Sequence, residues 1–253
     1  MYFCPITFIA MPFRNNIPNI ITLMNLISGC VAVILAFSGE MILASLFIIL
    51  AAAFDFLDGL AARLLHAGSD IGAQLDSLAD VISFGLAPAM IMYQLFLQNP
   101  LMPGWHAGNF SLLPFAALLL VAGGAYRLAK FNSDPDQAEG FKGLPIPATG
   151  LFIAAWPLMI NQYRQSENLT GIIQNPYLLL AIIIFLSYLM VSNIPMISLK
   201  FKNLTWKGNQ SRFILLGTFP VLFIFFRFSA VPMIIFLYII ISIISLSQKE
   251  KSN

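Results

Sequence analysis

Long apolar stretches, broken by short polar segments, run along most of the chain. Stretches of about 20 apolar residues have the length at which a helix crosses a lipid bilayer. The breaks between them carry turn residues, for example Ser38-Gly39-Glu40. The pattern predicts an all-α, polytopic transmembrane helical bundle with about eight spans. They lie at roughly 17–37, 41–65, 73–97, 112–132, 147–163, 174–193, 211–228 and 230–247.

Composition supports the class of membrane proteins and argues against a soluble, a nucleic-acid-binding or a disulfide-rich protein. Hydrophobic residues make up 59% of the 253 positions and charged residues 9%, whereas a soluble domain carries roughly 25% charged residues. A net charge of +2 is too small to indicate a nucleic-acid partner. The two cysteines, Cys4 and Cys30, form neither a disulfide framework nor a metal-binding spacing. The sequence therefore predicts an integral membrane protein that contacts membrane lipid and binds no nucleic acid.

The distribution of Lys and Arg predicts which way the bundle sits in the membrane. With a cytoplasmic N-terminus, only Arg164 and Arg227 of the 13 basic residues fall on the outer side, and the other eleven fall on the cytoplasmic side. The turn between the second and third predicted spans then faces the cytoplasm. Any chemistry near this turn would use cytosolic reactants.

That turn is flanked by the most unusual stretch of the chain, FDFLDGLAARLLHAGSDIGAQLDSLAD, residues 54–80. Asp55 and Asp58 are three residues apart on one predicted helix, and Asp76 and Asp80 are four apart on the next, so each pair shares one helical face. Charged side chains are costly in a membrane, and their presence there usually marks a functional site. Two neighbouring helices are therefore expected to present two carboxylates each to the same region.

Four neighbouring carboxylates repel one another and need a counter-charge. Arg63 is the one cation close to them in sequence, so ion pairing that only stabilises the bundle cannot balance them. Hard oxygen ligands suit Mg²⁺ or Mn²⁺, and two such ions about 4 Å apart can hold a phosphate group. One carboxylate can also accept a proton from an attacking hydroxyl. A cation transporter, which also clusters acids in helices, is the alternative of a different class.

The acidic pattern resembles the signature of the CDP-alcohol phosphatidyltransferase family. Its fixed positions are Asp55, Asp58, Gly59, Ala62 and Arg63, then, after eight residues, Gly72, Asp76 and Asp80. The resemblance covers residues from about 17 to 205. It implies an enzyme that uses two Mg²⁺ or Mn²⁺ ions, transfers a phosphatidyl group from CDP-diacylglycerol to an alcohol, releases CMP and forms a homodimer.

The resemblance also implies roles for individual residues. Asp55, Asp58 and Asp76 would be metal ligands, and Asp80 would complete the metal site and act as the catalytic base. The residues implied to bind the CDP-lipid are Asn19, Thr22, Asn25, Gly59, Ala62, Arg63 and Gly72. For those of the first span, polar contacts between helices are the alternative interpretation.

Other segments resemble the branch of the family whose acceptor alcohol is L-serine. They are IPNIITLMNLISG (17–29), DVISFGLAPA (80–89), YRLAKFN (126–132) and FKGLPIPATG (141–150). This likeness implies serine contacts from Ser83, Arg127 and Lys142, although Ser83 could instead serve close helix packing. Lys130 stands where the branch usually has Arg, which keeps the charge and loses the bidentate geometry.

Sibling enzymes that use glycerol phosphate or inositol phosphate are the nearer alternative. Their phosphate-bearing acceptors need a denser basic cluster than this chain places beside its acids, so a smaller zwitterion such as serine fits better. The expected organisation is a juxtamembrane segment at 1–16, a six-helix catalytic core at 17–205, and two further helices with a tail at 206–253. The family branch and the positive-inside pattern indicate a bacterial inner membrane, with the site facing the cytoplasm.

Overall fold

The computed structural model describes residues 13–99, 106–107, 110–133, 141–197 and 209–250. The α-helices in these ranges are α1 (Phe13–Phe37), α2 (Met41–Leu65), α3 (Asp70–Asp80), α4 (Ala87–Leu97), α5 (Leu118–Ser133), α6 (Ile146–Gln162), α7 (Glu167–Ile173), α8 (Pro176–Val191), α9 (Gln210–Phe226) and α10 (Ala230–Glu250). Short strands form two antiparallel pairs: β1 (His106–Ala107) with β2 (Phe110–Ser111), and β3 (Phe141–Lys142) with β4 (Pro195–Met196). The predicted boundary at 205–206 and most of the predicted N-terminal segment 1–16 lie outside the described residues.

The predicted all-α membrane bundle is confirmed, whereas the predicted number of spans is not. Within the described ranges, five helical segments are long and apolar enough to cross a bilayer, and α7 with α8, bent by 43°, would make a sixth. Each predicted span is helical, although the third, 73–97, is made of α3, α4 and a π-helical turn between them. However, α6 has only 17 residues and is about 26 Å long, which is less than the ~30 Å of a hydrocarbon core. The last two predicted spans, α9 and α10, count together as one apolar segment, Gln210–Ile244.

The turn between α2 and α3 is fixed by capping at both ends. α2 ends at Leu65, and the capping residue after it, His66, has a left-handed φ of 51° and an N–H that bonds back to the carbonyls of Ala62 and Arg63. α3 follows Ser69, whose Oγ accepts a hydrogen bond of 3.0 Å from the Gly72 N–H. These caps satisfy backbone groups that otherwise lack partners at helix ends. The turn therefore sets the relative position of the two acidic helices.

A π-helical turn, Val81–Leu86, follows α3 directly, and its central residues are buried in the bundle. A Cβ added at Gly29 of α1 would lie 2.7 Å from the Ser83 Cα, and one at Gly150 of α6 would lie 3.0 Å from the Phe84 Cα. Only glycine allows these helices to approach the turn so closely. Because Asp80 immediately precedes the turn, this packing also fixes the position of its carboxylate.

The paired strands β3 and β4 tie the segment before α6 to the segment after α8. Beside them, the Gly143 N–H donates to the Ile194 carbonyl at 2.8 Å, and the Leu144 N–H donates to the Leu189 carbonyl at 3.0 Å. These bonds supply partners for backbone groups that would otherwise be buried without any. They hold the chain that leads into α6 against the end of α8.

The C-terminal helices are bonded to the rest of the fold. At the junction of α9 and α10, the Gln162 side chain of α6 donates to the Phe226 carbonyl and accepts from the Phe228 N–H, each at 3.1 Å. Further along, α10 is hydrogen-bonded to Ile197, the residue after β4. α10 also packs against α6 and β4. The start and the middle of this helix are thus anchored to the elements that precede it.

Candidate active site

Three of the four predicted acidic residues form a tight cluster between α2 and α3. One carboxylate oxygen from each of Asp55, Asp76 and Asp80 lies within 4.8 Å of the other two. Asp58 is outside this triplet, 6% exposed, beside Thr22 of α1 and within electrostatic range of Asp55 and Asp76. The predicted convergence of two acidic helical faces is therefore seen directly, with Asp58 at its edge.

The cluster has the chemistry of a divalent cation site. Buried carboxylate oxygens of Asp58, Asp76 and Asp80 have no hydrogen-bond partner in the described part of the chain. Burying such oxygens without partners, and grouping like charges, both destabilise a fold. Mg²⁺ and Mn²⁺ take carboxylate oxygens as ligands and supply the opposite charge. The residues present therefore fit a divalent metal ion.

A cavity of about 740 Å³ opens beside the cluster and is lined by the acidic triplet. This volume lies within the usual range for small-molecule sites. Phe56 and Leu60 of α2 also line it, and they are 65% and 37% exposed. The α2 side of the cavity therefore continues onto an exposed apolar surface of a helix that is long and apolar enough to cross a membrane.

Of the predicted CDP-lipid residues on α2 and α3, Gly59 and Arg63 line the cavity, and Ala62 and Gly72 do not. The nearest atom to a Cβ added at Gly59 is Arg63 Nη2 at 3.8 Å, so this wall is open. Arg63 Nε donates to the Gly59 carbonyl at 2.8 Å, which lays the guanidinium along α2. Gly72 is instead close to α1, where an added Cβ would lie 2.9 Å from Asn19 Oδ1.

The polar residues of α1 lie behind the acidic helices. The Thr22 hydroxyl donates to the Pro18 carbonyl at 3.0 Å, and the fully buried Asn25 amide lies beside Asp80. Neither these two nor Asn19 lines the cavity. Their positions suit polar contacts between helices that orient the carboxylates, and their contact with a CDP-lipid stays a prediction.

The three residues predicted to contact serine lie in three different environments. Ser83 is fully buried, and its hydroxyl donates to the Asn25 carbonyl at 3.0 Å. The hydroxyl thus joins the π-helical turn to α1 and lies outside the cavity lining, which suits the packing alternative, and its contact with serine stays a prediction. Arg127 of α5 is 7% exposed, lines the cavity and interacts electrostatically with Asp80. Lys142 is exposed on β3 and does not line the cavity.

The cavity also holds polar residues that the sequence motifs did not single out. Asn132 of α5 donates to the Ser77 hydroxyl of α3 at 3.0 Å, and both line the cavity. The sequence could have indicated both residues, since Asn132 ends the segment YRLAKFN and Ser77 directly follows Asp76. Tyr238 of α10 lines the same cavity. It lies beyond the motifs, and no sequence signal indicated its role.

Comparison with known proteins gives one consistent answer. Residues 15–198 match the family model of CDP-alcohol phosphatidyltransferases. The chain is 34% identical over 229 residues to the CDP-diacylglycerol–serine O-phosphatidyltransferase of Helicobacter pylori, which covers 90% of this chain and 89% of the relative. It is 35% identical over 184 residues to the protein of the same name in Bacillus subtilis, covering 71% and 89%.

A third relative is the archaetidylserine synthase of Methanothermobacter thermautotrophicus, 33% identical over 147 residues, which cover 56% of this chain and 58% of the relative. The family match includes every member of the acidic cluster and Arg127. The cavity with its acidic triplet is thus a feature of the matched region. The chain belongs to the CDP-alcohol phosphatidyltransferase family, whose members transfer a phosphatidyl group from a CDP-activated lipid to an alcohol.

Proposed function

We propose that this enzyme transfers the phosphatidyl group of CDP-diacylglycerol to the hydroxyl of L-serine, which releases CMP and produces phosphatidylserine. The observation that carries the proposal is a single cavity that contains both the acidic triplet and the buried Arg127. The acids suit a metal-bound diphosphate, and the guanidinium suits a carboxylate. The names of the relatives from Helicobacter pylori and Bacillus subtilis support serine as the acceptor.

The donor lipid is proposed to occupy the side of the cavity formed by α2. Phe56 and Leu60 give this side an apolar surface that continues onto the membrane-facing helix, so the acyl chains can stay in the bilayer. Arg63 adds a positive charge along the same wall. Bound Mg²⁺ or Mn²⁺, held by the four aspartates at 55, 58, 76 and 80, would supply positive charge to the diphosphate and to the departing CMP.

The chemical step exchanges one oxygen for another on the phosphorus attached to diacylglycerol. Asp80 takes the proton of the serine hydroxyl, the serine oxygen bonds to this phosphorus, and the bond from the phosphorus to the CMP oxygen breaks. Asp80 suits this role because it is the most buried member of the triplet and because Arg127, which would hold the acceptor, is within its electrostatic range. Positioning and electrostatic stabilisation provide most of the catalysis in such transfers.

The acceptor side favours a small zwitterion over a phosphate-bearing alcohol. Among the described residues that line the cavity, Arg63 and Arg127 are the cations, and Arg63 lies on the donor wall. Arg127 alone suits one carboxylate, with its planar fork making two parallel hydrogen bonds. Glycerol phosphate or inositol phosphate would require more positive charge at this end.

Arg127→Ala is expected to raise the KM for L-serine roughly tenfold to a hundredfold, the size of a lost hydrogen bond to a charged group. The KM for CDP-diacylglycerol should change far less, since the donor lies at the other wall. Steady-state CMP release in detergent, with each substrate varied in turn, measures both values. Arg164→Ala removes an exposed arginine beyond the end of α6 and serves as the control. Equal effects of Arg127→Ala on both substrates would indicate a structural role.

The orientation of the site in the membrane is also part of the proposal. Arg63, Lys130 and Lys142 lie at the helix ends and connections around the cavity, and the positive-inside rule places this end of the bundle in the cytoplasm. Serine would then enter from the cytosol. A bacterial inner membrane, a homodimer, and a catalytic core at 17–205 follow from the family resemblance and complete the proposal.

CMP release by the purified protein tests the function directly. With Mn²⁺ and CDP-diacylglycerol, release should require L-serine, with glycerol 3-phosphate and inositol as parallel acceptors. EDTA should abolish the activity, and added Mn²⁺ or Mg²⁺ should restore it, because the carboxylate cluster needs a counter-charge to bind a diphosphate. Release with another alcohol would keep the metal site and reassign the acceptor. No release by folded, metal-loaded protein with any acceptor would overturn the proposal.

A further inference from the structure

The C-terminal helix α10 contributes a side chain to the cavity although it lies beyond the residues that match the family model. The match ends at residue 198, and α10 spans Ala230–Glu250. Tyr238, near the middle of this helix, is 7% exposed and lines the cavity together with the acidic triplet. The shape of the cavity in this chain therefore depends in part on a helix outside the matched region.

Tyr238 is held in place by hydrogen bonds to two neighbouring residues. Its hydroxyl donates to the Ile197 carbonyl at 3.0 Å, and the Ile197 N–H donates to the Ser242 Oγ at 3.2 Å. The tyrosine hydroxyl is also hydrogen-bonded to Ser242, which is fully buried. Because the tyrosine oxygen has these partners within the protein, the ring has a fixed position at the edge of the cavity.

Three further residues line the cavity next to Tyr238, and they are uncharged and conformationally restricted. Both backbone groups of Ile197 are bonded to α10, and its side of the chain lines the cavity. Pro145 and Pro147, at the start of α6, line it as well, and a proline ring fixes φ. Since α10 packs against both α6 and β4, the four residues lie on neighbouring elements, and together we call them the α10 wall.

The α10 wall differs in chemistry from the rest of the cavity. Among the described residues, every charged side chain that lines the cavity lies on α2, α3 or α5. The side chains of the α10 wall carry no charge, and the Tyr238 hydroxyl, their one polar group, is bonded inside the protein. This wall can therefore limit the size of a molecule that binds beside the metal site, but it offers no charge to pair with a phosphate.

We propose that Tyr238 is a specificity-determining residue, whose fixed ring limits the size of the acceptor alcohol. The inference rests on the proposed function, in which the donor lies along α2 and the acceptor occupies the rest of the cavity beside Arg127. A rigid wall discriminates by repulsion, because a larger alcohol would fit only if the ring moved and its hydrogen bonds broke. α10 would thus add a limit on size to a cavity whose charges already favour a small zwitterion.

The test compares acceptors of different size in variants of the full-length protein. Tyr238→Ala removes the ring, so the ratio of kcat/KM for L-homoserine to kcat/KM for L-serine should rise at least about tenfold, the discrimination that one methylene gives in a close-fitting pocket. Tyr238→Leu should give an intermediate ratio. Tyr238→Phe keeps the ring and should leave the ratio within about twofold. CMP release at saturating CDP-diacylglycerol, with each acceptor varied, measures these values.

Two controls separate the size of the acceptor from the stability of the protein. A ratio of two acceptors in one variant does not depend on the fraction of protein that is folded, so a loss of stability does not imitate the expected result. Tyr177→Ala removes a tyrosine that is 67% exposed at the start of α8 and should leave the ratio unchanged. Ile197→Ala shortens a second side chain of the α10 wall, keeps both backbone bonds to α10, and should raise the ratio as well.

An unchanged ratio in Tyr238→Ala would overturn the inference; if that variant does not fold, an unchanged ratio in both Tyr238→Leu and Ile197→Ala would do so. An equal rise in Tyr238→Phe would also overturn it, because the effect would then belong to the hydroxyl and not to the ring. A higher KM for CDP-diacylglycerol at an unchanged ratio would assign the wall to the donor. If the unaltered enzyme uses another alcohol, the proposed function fails at that point, and the ratio is measured with that alcohol and its next larger homologue.

Discussion

Asp80→Asn is expected to lower kcat for CMP release by a factor of roughly 100 to 10,000, the usual contribution of a general acid or base. Asparagine has nearly the same shape but cannot take the proton of the acceptor hydroxyl. Two members of the triplet, Asp55 and Asp76, remain with Asp58 beside them. The affinity for CDP-diacylglycerol should therefore be largely kept, and titration of the variant with the lipid in the presence of Mn²⁺ measures it.

The same variant should remain folded, because it relieves repulsion within the cluster. Its Tm in EDTA should be at least that of the unaltered protein, which would separate lost chemistry from lost structure. Asp70→Asn is the matched control, since it removes an exposed carboxylate from the first turn of the same helix; it should leave kcat unchanged. If Asp80→Asn retains near-normal turnover, another group takes the proton and Asp80 is only a metal ligand.

The helices could be predicted from sequence because each one is an apolar stretch ended by turn residues. The number that crosses the membrane could not, because crossing depends on length and straightness as well as on hydropathy. α6 is apolar but has only 17 residues, and the bend of 43° before α8 lies at a short break that has the sequence of an ordinary turn. These are properties of three-dimensional paths that the hydrophobic pattern does not record.

The acidic cluster could be predicted because spacings of three and four residues place side chains on one helical face. The position of an individual side chain relative to the cavity could not be predicted in the same way. Ser83 follows the acids closely in sequence, but it lies in the π-helical turn, where its hydroxyl donates to the Asn25 carbonyl and is outside the cavity lining. Tyr238 and Arg127 line the same cavity although more than a hundred residues separate them in the sequence, and no local spacing can indicate such a convergence.

Gly59→Leu is expected to raise the KM for CDP-diacylglycerol at least tenfold, because it places a large side chain on the donor wall of the cavity. The Cβ itself meets no atom closer than Arg63 Nη2 at 3.8 Å, an ordinary contact, so the helix should fold. Leucine also favours a helix over glycine by about 1 kcal/mol. The variant should therefore have an unchanged or higher Tm together with poor use of the lipid, and initial rates at varied CDP-diacylglycerol measure the loss.

Gly217→Leu on α9 makes the same chemical change at a helical glycine that is exposed and has nothing within 4 Å of an added Cβ. It should gain the same helix propensity and leave the KM for CDP-diacylglycerol unchanged. Gly59→Ala adds only the Cβ and should fall between the unaltered enzyme and Gly59→Leu. A graded loss that follows side-chain size at position 59 would assign this wall to the donor, because stability and lipid use would change in opposite directions. An unchanged KM in Gly59→Leu would instead place the nucleotide and diphosphate elsewhere in the cavity.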